Sequence, residues 1–135
     1  MIKRSLSCAW VAMLLCASPV AFAADCTEGS QNADKCLAQL EELDLQLKQA
    51  YQAEEQRVST LYGKDYGGIE GDGYAKYAIE ALRAEADAWR KYRGAKCHYE
   101  SYLDGMSLNY TGAIAAACEV NETQIRIQQV EARAK

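Results

Sequence analysis

The sequence has very little proline, which occurs once in 135 residues, and only nine glycines. This composition excludes collagen-like chains and proline- or glycine-rich low-complexity chains. With 50% hydrophobic and 25% charged residues, it also excludes a wholly disordered chain. The length allows one domain, or one domain with a processed segment.

An excess of positive charge is also missing. The chain has 15 Lys and Arg residues against 19 Asp and Glu residues, and its isoelectric point is near 5.0. Nucleic-acid binding needs a basic face that displaces counterions from the phosphates. The composition therefore argues against nucleic acid as a partner.

The motifs of common enzyme classes are absent as well. The sequence has no phosphate-binding loop, no dinucleotide-binding loop and no His-x-x-x-His zinc motif. Its single histidine, His98, has no evident nucleophile partner, so we interpret it as a solvated residue rather than a catalytic group or metal ligand. We predict that the protein is not an enzyme and uses no cofactor or metal.

Residues 1–23 have the layout of a secretory signal peptide. Lys3 and Arg4 precede an apolar stretch at residues 6–15, and Ala21 and Ala23 provide the small residues of a cleavage site. We predict cleavage before residue 24, which leaves residues 24–135 as a single domain in the periplasm or outside the cell.

The same segment is a poor membrane anchor. Its apolar stretch is short for a hydrocarbon layer of about 30 Å. A bacterial lipoprotein needs a small residue before its lipid-bearing cysteine, whereas Leu15 precedes Cys16. We therefore expect no membrane anchor.

Removal of the signal peptide changes the charge and the cysteine count. The remaining 112 residues have 13 basic and 19 acidic side chains, a formal charge of −6, and four cysteines at Cys26, Cys36, Cys97 and Cys118. None of these forms a Cys-x-x-Cys pair, which argues against a zinc knuckle or a thioredoxin-like redox site. An even number of cysteines in a small exported protein predicts two disulfides.

Three segments, at residues 36–62, 74–103 and 112–132, have the periodicity of helices. In the second segment the stripe passes through Leu82, Trp89, Tyr92 and Tyr99, and no proline interrupts it. The third segment is less clear. One possible apolar face contains Ile114, Cys118 and Ile125, the other contains Val120, Ile127 and Val130, and we expect both to be partly covered.

The helical pattern selects a disulfide pairing. If the second and third helices form an antiparallel hairpin that turns near Ser107, Cys97 lies ten residues before the turn and Cys118 eleven residues after it. Equal rise per residue places the two cysteines at the same level, and Cys26 then pairs with Cys36. The predicted fold is all-α, a small three-helix bundle with a long helical hairpin, cross-linked by two disulfides.

Several motifs resemble a known family. The stretch at residues 88–97, Ala-Trp-Arg-Lys-Tyr-Arg-Gly-Ala-Lys-Cys, is followed by a turn and Cys118, and Thr123 and Arg126 come after the last cysteine. Cys36 is followed by Asp44. Together these motifs resemble the LprI-like family of small exported bacterial proteins. The resemblance implies a disulfide-linked helical domain in the periplasm or on the cell surface, and one member of that family is described as an inhibitor of lysozyme.

This resemblance leads to two hypotheses for function. The first is an exported inhibitor or binding protein whose partner is a c-type lysozyme or another basic protein, since a charge of −6 favours encounter with a cationic partner. The second is a structural or stress-related envelope protein with another protein or a cell-wall component as its partner.

Three sets of residues are candidates for a site. Asp44, Arg93 and Arg126 are predicted to form a polar network that fixes the register of the helices, rather than a ligand site. Trp89 and Tyr92 are predicted to lie in the core, with a binding anchor as the alternative for Trp89.

The third set lies in the glycine-rich segment at residues 63–73, which has five glycines. It contains Asp65, Tyr66, Glu70 and Asp72. Because long loops often carry binding residues, these four residues are candidates for a partner-binding loop. The sequence favours a simple connector over such a loop. A calcium site is a further alternative, but the spacing does not match the usual calcium-binding loop.

Overall fold

The computed structural model describes Cys26, residues 33–64, Gly71, residues 73–103 and residues 111–133. In these residues the chain forms three α-helices, α1 (Ala33–Leu61), α2 (Gly73–Leu103) and α3 (Thr111–Ala132). The predicted all-α fold is confirmed. The predicted signal peptide lies outside the described residues, as do Asp65, Tyr66, Glu70 and Asp72.

Helix α1 buries an apolar stripe. Leu43, Leu47, Tyr51 and Val58 are buried, and they recur at the spacing of one helix face. Helix α1 ends just before Gly63, where a Cβ would lie 2.8 Å from the carbonyl oxygen of Ser59. Glycine is therefore the residue that lets the chain turn so closely past the end of α1.

Helix α3 buries one of its two predicted faces. Val120, Ile127 and Val130 are buried, whereas Ile125 is exposed. Three alanines near its start, at positions 113, 116 and 117, are also buried. Small side chains let helix backbones approach closely, which is consistent with the extensive packing of α3 on α1. Helices α1 and α2 contact each other least.

Helix α2 shows one correction to the sequence analysis. Tyr92 was predicted to lie in the core, but it is 58% exposed. The buried face of α2 instead carries Ala86, Arg93, Cys97 and Ser101. Successive residues of a helix point about 100° apart, so burial of Arg93 turns Tyr92 away from the core. The apolar pattern predicted the wrong face of α2, because the face that is buried includes polar residues.

Two disulfides cross-link the chain as predicted. Cys97 in α2 is bonded to Cys118 in α3, with their Cα atoms 5.5 Å apart. Cys26 is bonded to Cys36, with their Cα atoms 5.1 Å apart, and this bond attaches the chain before α1 to the first turns of that helix. Among the described residues, no helix combines the length and apolar character needed to cross a membrane.

Candidate functional site

Arg93 is the centre of a polar network between the helices. Its side chain is 9% exposed. Nη1 donates a hydrogen bond to Asp44 Oδ1 at 2.5 Å, and Nη2 donates to Asp44 Oδ2 at 3.3 Å. This two-pronged contact joins α2 to α1. A guanidinium and a carboxylate paired in this way form one of the stronger polar contacts in proteins.

Arg93 also contacts α3. Its Nη1 donates to Thr123 Oγ1 at 2.8 Å, and the Thr123 hydroxyl donates to the carbonyl oxygen of Glu119 at 2.6 Å. Arg93 Nε lies 3.1 Å from Glu119 Oε2, an ion-pair distance, although it does not make a directed hydrogen bond. The buried guanidinium of Arg93 therefore connects α2 to both α1 and α3.

Trp89 lies one turn before Arg93 on α2 and next to both arginines of the predicted network. The Arg93 guanidinium carbon is 5.3 Å from the centre of the Trp89 ring, and that of Arg126 is 5.7 Å from it. These distances are typical of cation–π contacts. Trp89 is partly buried and packs against the hydrophobic core.

Arg126, which also contacts Trp89, forms a second centre of polar contacts. Its Nε and Nη2 donate to the Tyr51 hydroxyl at 3.0 and 2.8 Å, and its Nη2 also pairs with Glu85. Arg133 pairs with the same carboxylate at 2.8 Å. The hydrogen bond from Arg133, with a further one from Arg126, lowers the pKa of Glu85 below that of an ordinary glutamate, against the opposing effect of burial.

Lys96 forms further ion pairs on the same side of α2, nearer the end of that helix. Lys96 Nζ lies 2.9 Å from Glu122 Oε1 in α3 and 3.3 Å from Glu100 Oε1 in its own helix. The hydrogen bond to Glu122 is the largest cause of a raised pKa for Lys96. Charged contacts thus connect α2 and α3 at Glu85, Arg93 and Lys96.

The structure brings some of the predicted residues together and separates others. Asp44 and Arg93 are in direct contact. Arg126 does not join that pair in the described contacts, and it bonds to Tyr51 and Glu85 instead. The loop candidates lie outside the described residues.

Sequence reasoning missed Glu85, Glu119 and the part played by Tyr51. A signal was present, because Glu85, Trp89 and Arg93 follow one another at intervals of four residues. Residues four apart lie on the same helix face, so these three side chains form a polar and aromatic stripe. A search for apolar residues alone passes over such a stripe.

His98 lies on the exposed side of α2, where the Tyr102 hydroxyl is 3.3 Å from its Nε2. Among the described residues, no cluster of three or more His, Cys, Asp or Glu side chains is placed to hold a metal ion. A shallow groove of about 360 Å³ lies between α1 and α2, and Lys48, Tyr51, Glu55 and Arg83 are among its lining residues. Arg83 and Glu55 form an ion pair at 2.8 Å across this groove.

Comparison with known proteins identifies a family. The model of the family described as lysozyme inhibitor LprI matches residues 24–130, which is most of the chain. No curated protein and no solved structure matches the chain significantly.

Proposed function

The chain belongs to the lysozyme inhibitor LprI family, and we propose that it is an exported inhibitor of a basic enzyme such as a c-type lysozyme. The family match over residues 24–130 is the observation that carries this proposal. A family described as inhibitors supports a role in binding rather than in catalysis.

Two observations support export. The family match begins at residue 24, directly after the predicted cleavage site. The cysteines at 26, 36, 97 and 118 are paired in two disulfides, which persist in oxidising compartments such as the periplasm. We therefore propose that the mature protein comprises residues 24–135 and acts in the periplasm or outside the cell.

The charge of the mature chain supports a basic partner. Residues 24–135 carry a formal charge of −6. A protein with this charge attracts a cationic enzyme over a distance of about 10 Å at moderate salt, which accelerates their association. The arginines at 93 and 126 are already paired inside the bundle, so we do not assign the contact with the enzyme to them.

We assign the contact to the segment between α1 and α2. The rings of Tyr62 and Tyr74, on either side of this segment, have centroids 5.5 Å apart. Helix α1 therefore ends, and helix α2 begins, at the same end of the bundle. Asp65, Glu70 and Asp72 lie within it and supply negative charge for a cationic enzyme.

The proposal is tested by measuring lysis of bacterial cell walls by c-type lysozyme with purified residues 24–135. We expect slower lysis at low salt and a weaker effect as salt increases, because salt screens charge attraction. An undiminished rate with excess protein at low salt would contradict inhibition, and the hypothesis of an envelope interaction protein would then replace it.

A pair of matched variants tests whether the segment between α1 and α2 contacts the enzyme. The first removes three charges from the segment, with Asp65→Asn, Glu70→Gln and Asp72→Asn. The control removes three exposed charges at the opposite end of α1, with Asp34→Asn, Glu41→Gln and Glu42→Gln. We expect inhibition to weaken more in the first variant, whereas equal losses would indicate that only net charge matters.

A further inference from the structure

Helix α2 has an aromatic face that points away from the bundle. Tyr77, Tyr92, Tyr99 and Tyr102 are 65%, 58%, 64% and 53% exposed. Surface tyrosines are common in interfaces, because each offers a large rigid contact area with a polar end. Four of them on one helix represent about 500 Å² of exposed aromatic surface.

These tyrosines belong to a regular stripe. Residues of only two types, tyrosine and alanine, recur every three or four positions along α2, at Tyr77, Ala81, Ala84, Ala88, Tyr92, Ala95, Tyr99 and Tyr102. This spacing places them on a single helix face. Apart from two consecutive steps of four residues between positions 84 and 92, these steps alternate as in the seam of a two-helix coiled coil, where each position faces a neighbouring helix. We call these eight residues the Tyr/Ala face.

We propose that two copies of this chain associate through the Tyr/Ala face, with their α2 helices antiparallel. An antiparallel pair has a two-fold axis, which here passes between residues 89 and 90. Under this symmetry Ala84 faces the partner's Ala95, so that the two backbones approach closely. Ala81 lies within one residue of the level of the partner's Tyr99, and Ala88 lies within one residue of the level of the partner's Tyr92.

The sizes of the side chains support a second copy as the occupant. In this arrangement two tyrosines of each copy lie against alanines of the other, and every such contact occurs twice because of the symmetry. Large residues opposite small ones allow helices to interdigitate without voids. Tyr77 and Tyr102 lie at the two ends of the Tyr/Ala face. In the antiparallel pair Tyr77 meets the partner's Tyr102, beyond the contacts between tyrosines and alanines.

The charges beside the face also fit an antiparallel pair. In such a pair each flank of a helix meets the same flank of its partner. Asp87 then lies within one residue of the level of the partner's Lys91, and by symmetry Lys91 lies equally close to the partner's Asp87. The Asp87 side chain is 69% exposed, and its contact in the bundle is an exposed ion pair with Arg90 at 2.9 Å. The charges on this side of α2 are therefore complementary to the same charges on the partner's α2.

This association is independent of the proposed lysozyme contact, since the Tyr/Ala face contains no charged residue. Its aromatic area is below the roughly 800 Å² that each partner contributes to a typical stable interface. We expect a reversible dimer whose population depends on concentration.

Sedimentation equilibrium of oxidised residues 24–135 tests the proposal. We expect a monomer–dimer equilibrium for the natural sequence and at least a tenfold weaker association for Ala84→Glu, which places charge in the seam. The matched control is Ala38→Glu, which changes an exposed alanine of α1 and is expected to leave association unchanged. Circular dichroism confirms that both variants fold.

A charge exchange tests the antiparallel register. Asp87→Lys and Lys91→Asp are each expected to weaken the dimer several-fold, and the double variant is expected to restore it. Failure of the double variant to restore association would overturn this register. A protein that remains monomeric at about 1 mM, or a dimer insensitive to Ala84→Glu, would overturn the proposal. A monomer that loses lysozyme inhibition on Tyr99→Ala would assign the face to the enzyme instead.

Discussion

Arg93 and Asp44 are 49 positions apart in the chain, yet Arg93 Nη1 lies 2.5 Å from Asp44 Oδ1. The contact joins α2 to α1, the two helices that otherwise touch least. It occurs at one level of the bundle, so sliding of α2 along α1 would break it. We infer that this ion pair fixes the register between these two helices.

The first prediction concerns this pair. Asp44→Ala removes one partner and leaves the Arg93 guanidinium buried with less compensation. Loss of one member of a buried pair is strongly destabilising, but Asp44 is 39% exposed, which reduces the cost. We expect the free energy of unfolding to fall by about 1–3 kcal/mol.

Urea unfolding followed by tryptophan fluorescence measures this change. Trp89 is the only tryptophan in residues 24–135 and lies beside Arg93, so its emission reports on this part of the bundle. The matched control is Glu42→Ala at an exposed position of the same helix, where we expect a change below about 0.5 kcal/mol. An Asp44→Ala variant as stable as the natural sequence would contradict a structural role.

The second prediction concerns the loss of folding stability at acidic pH. Hydrogen bonds from Arg57 lower the pKa of Glu54, and a hydrogen bond from Arg133, with one from Arg126, lowers the pKa of Glu85. The folded state therefore binds fewer protons than the unfolded state near the ordinary pKa of glutamate, about 4.3. These contacts stabilise the fold fully above that value, and their contribution is lost as the pH falls through the lower folded pKa values.

Unfolding free energies measured between about pH 7 and pH 3 check this prediction. Glu85→Gln is expected to flatten the acid limb of the curve, because the neutral side chain no longer titrates. Glu80→Gln is the control, since Glu80 is an exposed residue of the same helix. An acid limb equally steep in Glu85→Gln and in the natural sequence would show that Glu85 does not contribute to it.

The helices and disulfides of this protein could be predicted from sequence for definite physical reasons. Leu43, Leu47 and Tyr51 recur at the helical period, and this repeat defines α1 without knowledge of its neighbours. The pairing of Cys97 with Cys118 followed from equal distances to one turn, because helical rise is nearly constant. Such features depend on local geometry, which the sequence determines directly.

The orientation of α2 could not be predicted in the same way. Its apolar pattern favoured the face with Tyr92, whereas the core contains Arg93 and Ser101. Burial of Arg93 is favourable because Asp44 and Glu119 approach from the other two helices. A sequence pattern in one helix does not contain this information, since the partners lie far away in the chain.

The third prediction compares the two disulfides. Replacement of both cysteines of the Cys97–Cys118 bond by serine is expected to cost about 3 kcal/mol of stability, because the bond restricts the unfolded chain. It spans 21 residues, whereas Cys26–Cys36 spans 10. Loop-closure entropy predicts that loss of the longer loop costs about 0.6 kcal/mol more. Urea unfolding of the two double variants measures the difference, and the opposite order would contradict the entropic account.

The fourth prediction concerns two glycines in different surroundings. Gly94 lies in the middle of α2, and a Cβ built on it meets no atom within 4 Å. Gly94→Ala is therefore expected to stabilise the protein by about 0.5–1 kcal/mol, since alanine loses less backbone entropy when a helix forms. Gly63→Ala is the matched control, because its Cβ would lie 2.8 Å from the Ser59 carbonyl oxygen and force the end of α1 to shift. Thermal unfolding should show a higher midpoint for the first variant and a lower one for the second. A lower midpoint for Gly94→Ala would mean that α2 needs glycine at this position for a reason other than space.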